Sequence, residues 1–248
     1  EEVKATLSGK RFVLYAQPIV PLSGEGDGLH CEILLRLRQK TGEIEAPAYF
    51  FPAAERAQLT GEIDRYVIAE LLDWLARHPD AVERLGKCAI NLTGWSVSDP
   101  ALAGWIQEHV KGLGIPPQKL CFEITESQAI ASRDVAGRLI ESLRAMGSSV
   151  SLDDFGTGLA TYDYLKSFPF DYLKIDGAFI RDVLQSKVDQ SVVQSITAVA
   201  RTMGLQTIAE FVENEAVIAL LRGYGVDYVQ GYGVGKPVPL DELFAVPQ

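Results

Sequence analysis

Short apolar runs recur along the chain, each preceded by a glycine and ended by a polar residue. The clearest copies end at Asp153–Asp154, Glu210 and Gln230, and looser copies end at Asn91 and Glu123. The preceding glycines are Gly147, Gly204, Gly225, Gly86 and Gly114. Glycine after a helix is the usual left-handed cap, and apolar runs of this length are typical of buried strands. The pattern therefore predicts repeated helix–strand units.

Repeated helix–strand units imply a parallel sheet in which the polar strand ends lie at one edge. α/β folds place their active sites at this edge. The chain has 248 residues, close to the roughly 250 of a (β/α)8 barrel. No linker or break in composition divides it, so we predict a single α/β domain over residues 1–248. Because the sequence does not begin with methionine, we expect the domain to be excised from a larger multidomain protein.

The first two apolar runs, 12–20 and 29–36, differ from the later ones in their connection. They are joined by the glycine-rich segment 23–28, which is too short for the crossover that parallel strands need. These strands should therefore pair antiparallel. An otherwise parallel barrel would then begin with a reversed strand.

Helical periodicity separates the later strands. It predicts helices at 62–77, 99–112, 126–146, 188–203 and 214–222. In the fourth helix, apolar residues at spacings of three and four form a stripe that is predicted to pack on the barrel. The members of this stripe are Val188, Val192, Ile196, Val199 and Met203.

The composition limits the kinds of binding partner and the cellular compartment that we expect. A net charge of −10 and a pI of about 4.9 argue against binding to a nucleic acid polymer or to an anionic membrane surface. A phosphate-bearing ligand stays compatible, because bound cations can reverse the local field. The isolated Cys31, Cys88 and Cys121 favour buried free thiols. With no apolar run long enough to span a membrane and no signal peptide, we expect a cytoplasmic domain, free or within a membrane-anchored protein.

The polar strand ends define a candidate site. The side chains that the fold would bring together are those of Glu32, Asn91, Glu123, Asp153, Asp154, Lys174, Glu210 and Gln230. Five carboxylates and one lysine cannot share a small volume as bare ions, because repulsion raises their pKa values. Oxygen ligands without nearby His or Cys favour Mg²⁺ or Mn²⁺. The adjacent Asp153 and Asp154 suit a two-metal centre, an arrangement that commonly serves phosphoryl chemistry.

Each of these residues also has a structural interpretation. A strand-end carboxylate is often a helix N-cap or a turn residue, and Asp154 could cap a short helix predicted near 159–166. Lys174 lies in a buried strand, where an unpaired lysine is costly. It could orient a water molecule beside a metal, or form an ion pair with Asp176 or Glu210. His30 neighbours Glu32 and could support the site through that ligand, but we do not favour this role.

Eight short motifs contain most of these residues. They are Tyr15–Ile19, Glu32–Arg36, Ile90–Thr93, Phe122–Ser127, Leu152–Gly158, Leu173–Asp176, Ala209–Glu213 and Gln230–Tyr232. Together and in this order, they resemble the EAL domain family of bacterial cyclic di-GMP phosphodiesterases over essentially the whole chain. The resemblance implies a modified TIM (β/α)8 barrel with an antiparallel first strand. It also implies hydrolysis of cyclic di-GMP to linear pGpG.

The same resemblance implies two Mg²⁺ or Mn²⁺ ions. One ion would be held by Glu32, Asn91, Glu123 and Asp153, and the other by Asp153, Asp154 and Glu210. Lys174 would hold the attacking water, so that Glu32, Asp153, Lys174 and Glu210 form the catalytic set. Glu126 would stabilise the loop 154–161, which in this family couples the site to dimerisation, so a homodimer is expected.

The positions that resemble the substrate side of the family site are Gln17, Leu34, Arg36, Asp176, Glu213 and Gln230. The fork of Arg36 suits a phosphate group. Ile33 replaces the alanine of the name-giving triplet, but by strand alternation it should face away from Glu32. Phe211 stands where the family often has glycine, and it could narrow the rim of the site.

Three other functions compete with this interpretation. The first is a catalytically inactive receptor that binds cyclic di-GMP without cleaving it, although loss of metal ligands marks that class and all are present here. The second is a different phosphate-using barrel enzyme. The third is a signalling contact with a protein partner, which could coexist with catalysis.

Overall fold

Eight strands close into a barrel in the computed structural model, which describes residues 11–24, 26–131, 133–156 and 165–245. With two short strands outside the barrel, the strands of the sheet are β1 (Phe12–Pro21), β2 (Leu29–Arg38), β3 (Ile44–Glu45), β4 (Leu85–Asn91), β5 (Leu120–Thr125), β6 (Ser149–Phe155), β7 (Tyr172–Ile175), β8 (Gln206–Ala209), β9 (Tyr228–Gln230) and β10 (Val238–Pro239). The barrel order is β1-β2-β4-β5-β6-β7-β8-β9 and back to β1. The short β3 and β10 extend β2 and β1 on the outside.

The reversed first strand is confirmed. β1 runs antiparallel to both of its barrel neighbours, β2 and β9, whereas the other neighbouring barrel strands are parallel. The register of the first pair places Gln17 opposite Glu32 and Tyr15 opposite Leu34. The hairpin therefore brings two of the predicted motifs side by side.

Helices surround the barrel. Their bounds are Pro47–Arg56, Thr60–Arg77, Pro79–Arg84, Gly94–Val97, Leu102–Leu113, Glu126–Ala131, Arg133–Met146, Lys187–Thr202, Glu215–Tyr224 and Leu240–Leu243. All five predicted helices are present; that predicted at 126–146 corresponds to Glu126–Ala131 and Arg133–Met146, on either side of residue 132, which lies outside the described residues. The helix Pro47–Arg56 escaped prediction because Pro52 lies inside it, and proline ordinarily breaks a helix. The short helix expected near 159–166 falls almost entirely outside the described residues.

The predicted apolar stripe of the helix Lys187–Thr202 is displaced. Val188 is 72% exposed, so the prediction that it packs on the barrel was wrong. The buried face consists of Val193, Ile196, Thr197 and Ala200. Val188 lies in the first turn of the helix, before the buried face begins. The prediction followed the aliphatic Val192 and Val199, which lie at the edge of that face.

The glycine caps are confirmed with one exception. Gly114 and Gly225 are left-handed helix caps with φ of 69° and 79°. Gly86 is not a cap, because it lies within β4 and the preceding helix runs directly into the strand. Its role is close packing, since a Cβ atom at this position would lie 2.5 Å from Cδ2 of His30.

The barrel interior has its own small core. It is filled by Ile19, Ala89, Cys121, Tyr172, Ile208 and Tyr228, separately from the larger core between the barrel and its helices. His30 stacks on Tyr228 at 5.1 Å between ring centroids, and its Nε2 lies 2.5 Å from Oδ1 of Asp27. His30 therefore has a packing role beside Tyr228. All three cysteines are buried free thiols, as predicted.

Across the described ranges, none of the helices has both the length and the apolar content needed to cross a bilayer.

Candidate active site

The polar strand ends meet at the carboxyl edge of the barrel, with Lys174 at their centre. Its side chain is 1% exposed, and four carboxylate oxygens surround Nζ. The distances are 2.9 Å to Glu123 and Glu210, 3.2 Å to Asp153 and 3.5 Å to Glu32. Burial acts to lower the pKa of Lys174, but the carboxylates, led by Asp153, outweigh it and hold the pKa well above its usual value. Lys174 is therefore a protonated ammonium group.

Of the two ion pairs considered for Lys174, only that with Glu210 forms. The carboxylate of Asp176 instead accepts a hydrogen bond of 2.6 Å from the backbone N–H of Ala178, where it caps a short 3-10 helix. The charge of Asp176 also raises the pKa of Asp154. It thus supports the rim of the site and does not line the cleft described below.

Glu32 is fixed from two sides by amide groups. Asn91 Nδ2 donates to Oε1 and Gln230 Nε2 donates to Oε2, both at 2.6 Å. Gln230 Nε2 also lies 3.3 Å from Oε1 of Gln17. Burial raises the pKa of Glu32, but Lys174 and these hydrogen bonds outweigh it and leave the pKa below its ordinary value. Glu32 is therefore an ionised carboxylate with its geometry set before any ligand arrives.

A strand irregularity lets Asp153 and Asp154 act on the same site. Consecutive strand residues normally point to opposite faces. Here the register between β6 and β7 shifts between Leu152 and Phe155, and Asp154 has a positive φ of 56°. Such bulges re-aim side chains beside active sites. Oxygen atoms of Asp153, Asp154 and Glu210 consequently lie within 4.8 Å of one another.

The negative charge of the carboxylates exceeds the single positive charge of Lys174. Burial, followed by the charges of Asp153 and Asp176, raises the pKa of Asp154 to about 6. Burial and the charges of Asp153 and Glu32 raise the pKa of Glu210 to about 8, against the lowering effect of Lys174. Burial holds the pKa of Glu123 well above its usual value, and its Oε1 finds no hydrogen-bond partner among the described residues.

These features fit a divalent cation. A cation bound by Asp153, Asp154 and Glu210 would offset the excess charge, and the unpaired oxygen of Glu123 is a further available ligand atom. The other predicted ligand set is arranged differently. Within the described part of the chain, Glu32, Glu123 and Asp153 form no comparable oxygen cluster. An oxygen of each instead lies within 3.5 Å of Lys174 Nζ.

A cleft of about 560 Å³ opens above the carboxylates. Five of the six predicted substrate-side residues line it, namely Gln17, Leu34, Arg36, Glu213 and Gln230. Arg36 donates from Nη1 to the carbonyl of Leu35 at 2.8 Å and lies over the ring of Tyr15. Arg181 and Pro237 also line the cleft and were not predicted, because neither lies in a strand-end pattern.

Ile33 and Glu126 lie close to site residues in the sequence. Ile33 is buried in the core between the barrel and the helices, away from Glu32, so the larger residue leaves that carboxylate in place. Glu126 is buried, and its Oε2 accepts from the backbone N–H of Gly156 at 3.2 Å. Most of the loop that Glu126 is expected to stabilise, 157–161, lies outside the described residues.

Comparison with known proteins extends the geometric evidence. The family model described as the EAL domain matches residues 1–237. The cyclic di-GMP phosphodiesterase PdeB of Shewanella oneidensis is 40% identical over 239 residues, which cover 96% of this chain and 28% of the relative. The cyclic di-GMP phosphodiesterase PdeF of Escherichia coli is 36% identical, with 96% and 31% covered. The chain thus spans about a third of the length of these curated relatives.

Solved structures give the same result. The phosphodiesterase PaMucR in complex with c-di-GMP is similar, with a TM-score of 0.90, 32% identity and 98% of each chain covered. The FimX EAL domain of Pseudomonas aeruginosa bound to c-di-GMP has a TM-score of 0.87 and 31% identity, with 95% of this chain and 94% of that chain covered. The sequence motifs, the reversed barrel strand and these matches agree: the chain belongs to the EAL domain family.

Proposed function

We propose that this chain hydrolyses one phosphodiester bond of cyclic di-GMP and releases linear pGpG, with Mg²⁺ or Mn²⁺ as cofactor. The observation that carries the proposal is the bulge in β6, which turns Asp153 and Asp154 to one side, where both meet Glu210. The names of the relatives PdeB and PdeF support the same substrate. Because the chain matches only about a third of those proteins, the activity is proposed for this domain alone.

The ligand residues would bind two cations. Asp153, Asp154 and Glu210 would hold one ion, and Glu32, Asn91 and Glu123 would hold the other together with Asp153. Bound ions would supply Lewis-acid activation of the phosphate and of the attacking water. The protein positions these ligands in advance, because Asn91 and Gln230 already fix Glu32 and the bulge already fixes Asp154.

Lys174 and Arg36 would supply the positive charges that the protein itself contributes. The protonated Lys174 would donate a hydrogen bond that orients the attacking water in line with the scissile bond. Arg36 lines the cleft, and its planar fork would bind a phosphate oxygen pair. Gln17, Leu34, Glu213 and Gln230 would contact the rest of the substrate. The buried Oε1 of Gln230, which has no hydrogen-bond partner among the described residues, offers an acceptor to it. Asp176 would act indirectly, through its charge beside Asp154.

A receptor that binds cyclic di-GMP without cleaving it is the second candidate. One observation favours it: Lys174 Nζ lies within 3.5 Å of oxygens of Glu32, Glu123 and Asp153, so a positive charge already lies among these carboxylates without a metal. The FimX EAL domain was solved bound to c-di-GMP, which shows that the ligand binds a related barrel.

Chromatography of nucleotides after incubation with cyclic di-GMP and Mg²⁺ separates the two candidates. The proposal expects pGpG from the wild-type chain and none after addition of EDTA. Calorimetry on the same sample measures binding. Tight binding with no product would overturn the proposed hydrolysis and establish the receptor.

We further infer that residues 1–248 form one domain of a longer signalling protein that works in the cytoplasm as a homodimer. The match to about a third of each relative supports the first part. The compartment and the homodimer rest on the family resemblance and remain predictions.

A further inference from the structure

We propose that Phe211 and Arg181 form a stacking platform for a purine base at the mouth of the cleft. The inference rests on the proposed function and adds a residue pair that fixes one guanine of cyclic di-GMP. Both residues line the cleft, and the guanidinium of Arg181 lies over the Phe211 ring at 4.4 Å from its centroid.

The backbone of Phe211 is held in an unusual conformation. Its φ is 54°, a left-handed value that is an outlier for a bulky residue. Such strain persists where the surroundings over-determine it, and it clusters at ligand sites. The left-handed turn follows directly after Glu210 and places the aromatic ring beside the carboxylate cluster.

Gly177 makes room for the ring. A Cβ atom at this position would lie 2.1 Å from Cδ2 of Phe211, so any other residue would displace the ring. The 3-10 helix Gly177–Phe179, capped by Asp176, leads on to Arg181. The same short segment therefore provides both the space for the ring and the cation that stacks on it.

The ring is oriented but not enclosed. Phe211 remains 49% exposed although it contacts Gly177 and Arg181. A half-exposed aromatic side chain on the wall of a cleft offers apolar surface to a flat ligand. Nucleobases stack on aromatic rings regardless of their hydrogen-bonding edge, and an arginine adds cation–π attraction. A cyclic dinucleotide has such a base close to each phosphate, which matches a platform adjoining the carboxylates.

Fluorescence tests the stack directly. The probe is a cyclic di-GMP analogue in which 2-aminopurine replaces one guanine, titrated with protein in EDTA so that no turnover occurs. The variants are Phe211→Gly and Phe211→Trp. Glycine adopts a φ of 54° without strain, so the thermal midpoint of the Phe211→Gly variant should not fall below that of wild type. If the ring had a purely structural role, this substitution would lower the thermal midpoint. Tyr49→Ala is the matched control, since Tyr49 is an exposed aromatic residue outside the cleft.

The platform predicts that wild type, Phe211→Trp and Tyr49→Ala quench the probe. Phe211→Gly should lose the quenching and bind about 5- to 150-fold more weakly, the loss expected for one base–aromatic stack. Equal quenching and affinity in Phe211→Gly would overturn the platform, as would a wild-type protein that hydrolyses cyclic di-GMP but does not quench the probe. A wild-type protein that neither binds nor hydrolyses cyclic di-GMP would overturn the proposed function and the platform with it.

Discussion

Lys174 Nζ lies 2.9 Å from Oε2 of Glu123, and both side chains are 1% exposed. Removing one partner of such a buried pair leaves uncompensated charge, which costs about 3–5 kcal/mol. Lys174→Met should therefore lower the free energy of unfolding by about this amount in EDTA. Urea denaturation measures it. Arg144→Ala, which removes a partly exposed ion pair with Asp171, is the control and should cost at most about 1 kcal/mol. Equal losses in the two variants would contradict the central role of Lys174.

Divalent cations should stabilise the folded chain through Asp153. A ligand that binds only the folded state adds about 2.7 kcal/mol at one hundred times its Kd. We expect Mg²⁺ or Mn²⁺ to raise the thermal midpoint of wild type over that in EDTA. Asp153→Asn, which keeps the volume of the side chain, should abolish most of the shift. The same rise in both proteins would place the cation elsewhere.

Asp64 should make stability depend on pH. It is buried, and the backbone N–H and hydroxyl of Thr93 both donate to its Oδ2 at 2.7 Å. Burial raises its pKa from 3.8 to about 6. At pH values between these two pKa values, Asp64 keeps its proton in the folded chain and has lost it in the unfolded chain. The contribution of Asp64 to the free energy of unfolding therefore falls as the pH rises and is constant above about pH 6.

Asp64→Asn removes that titration and keeps an oxygen to accept from Thr93. The variant should gain stability relative to wild type as the pH rises from about 4 to 6, by about 3 kcal/mol in total. Urea denaturation at several pH values, with EDTA present, measures the difference. A difference that stays flat over this range would show that Asp64 is ionised without cost.

Gly86 should tolerate no side chain. A Cβ atom there meets the ring of His30 inside a packed barrel, and overpacking of this kind costs about 1–3 kcal/mol. Gly104→Ala is the opposite case. No atom of the described residues lies within 4 Å of a Cβ at Gly104, in the helix Leu102–Leu113, and alanine should stabilise this helix by about 0.5–1 kcal/mol. Thermal unfolding of both variants tests this contrast. Equal stability of Gly86→Ala and wild type would contradict the role of Gly86 in close packing against His30.

The reversed barrel strand and the shared edge of polar residues could be predicted because both follow from local rules. A short glycine-rich connector forces antiparallel pairing, and parallel strands align their ends. The arrangement around Lys174 could not be predicted, since it depends on the closure of strands from distant parts of the chain. The bulge at Asp153–Asp154 has no signal in the residues themselves. Arg181 reaches the cleft from the turn that follows the 3-10 helix Gly177–Phe179, where the sequence has no periodicity.

The hydrolysis of cyclic di-GMP in Mg²⁺ by wild type, Glu32→Ala and Asp153→Ala tests the central claim most directly. Chromatography should show pGpG for wild type and none for either variant, while circular dichroism shows that all three remain folded. Loss of turnover is expected because each substitution removes a carboxylate proposed to hold a cation. Retained turnover in purified, folded Glu32→Ala protein would contradict the assignment of these carboxylates as cation ligands.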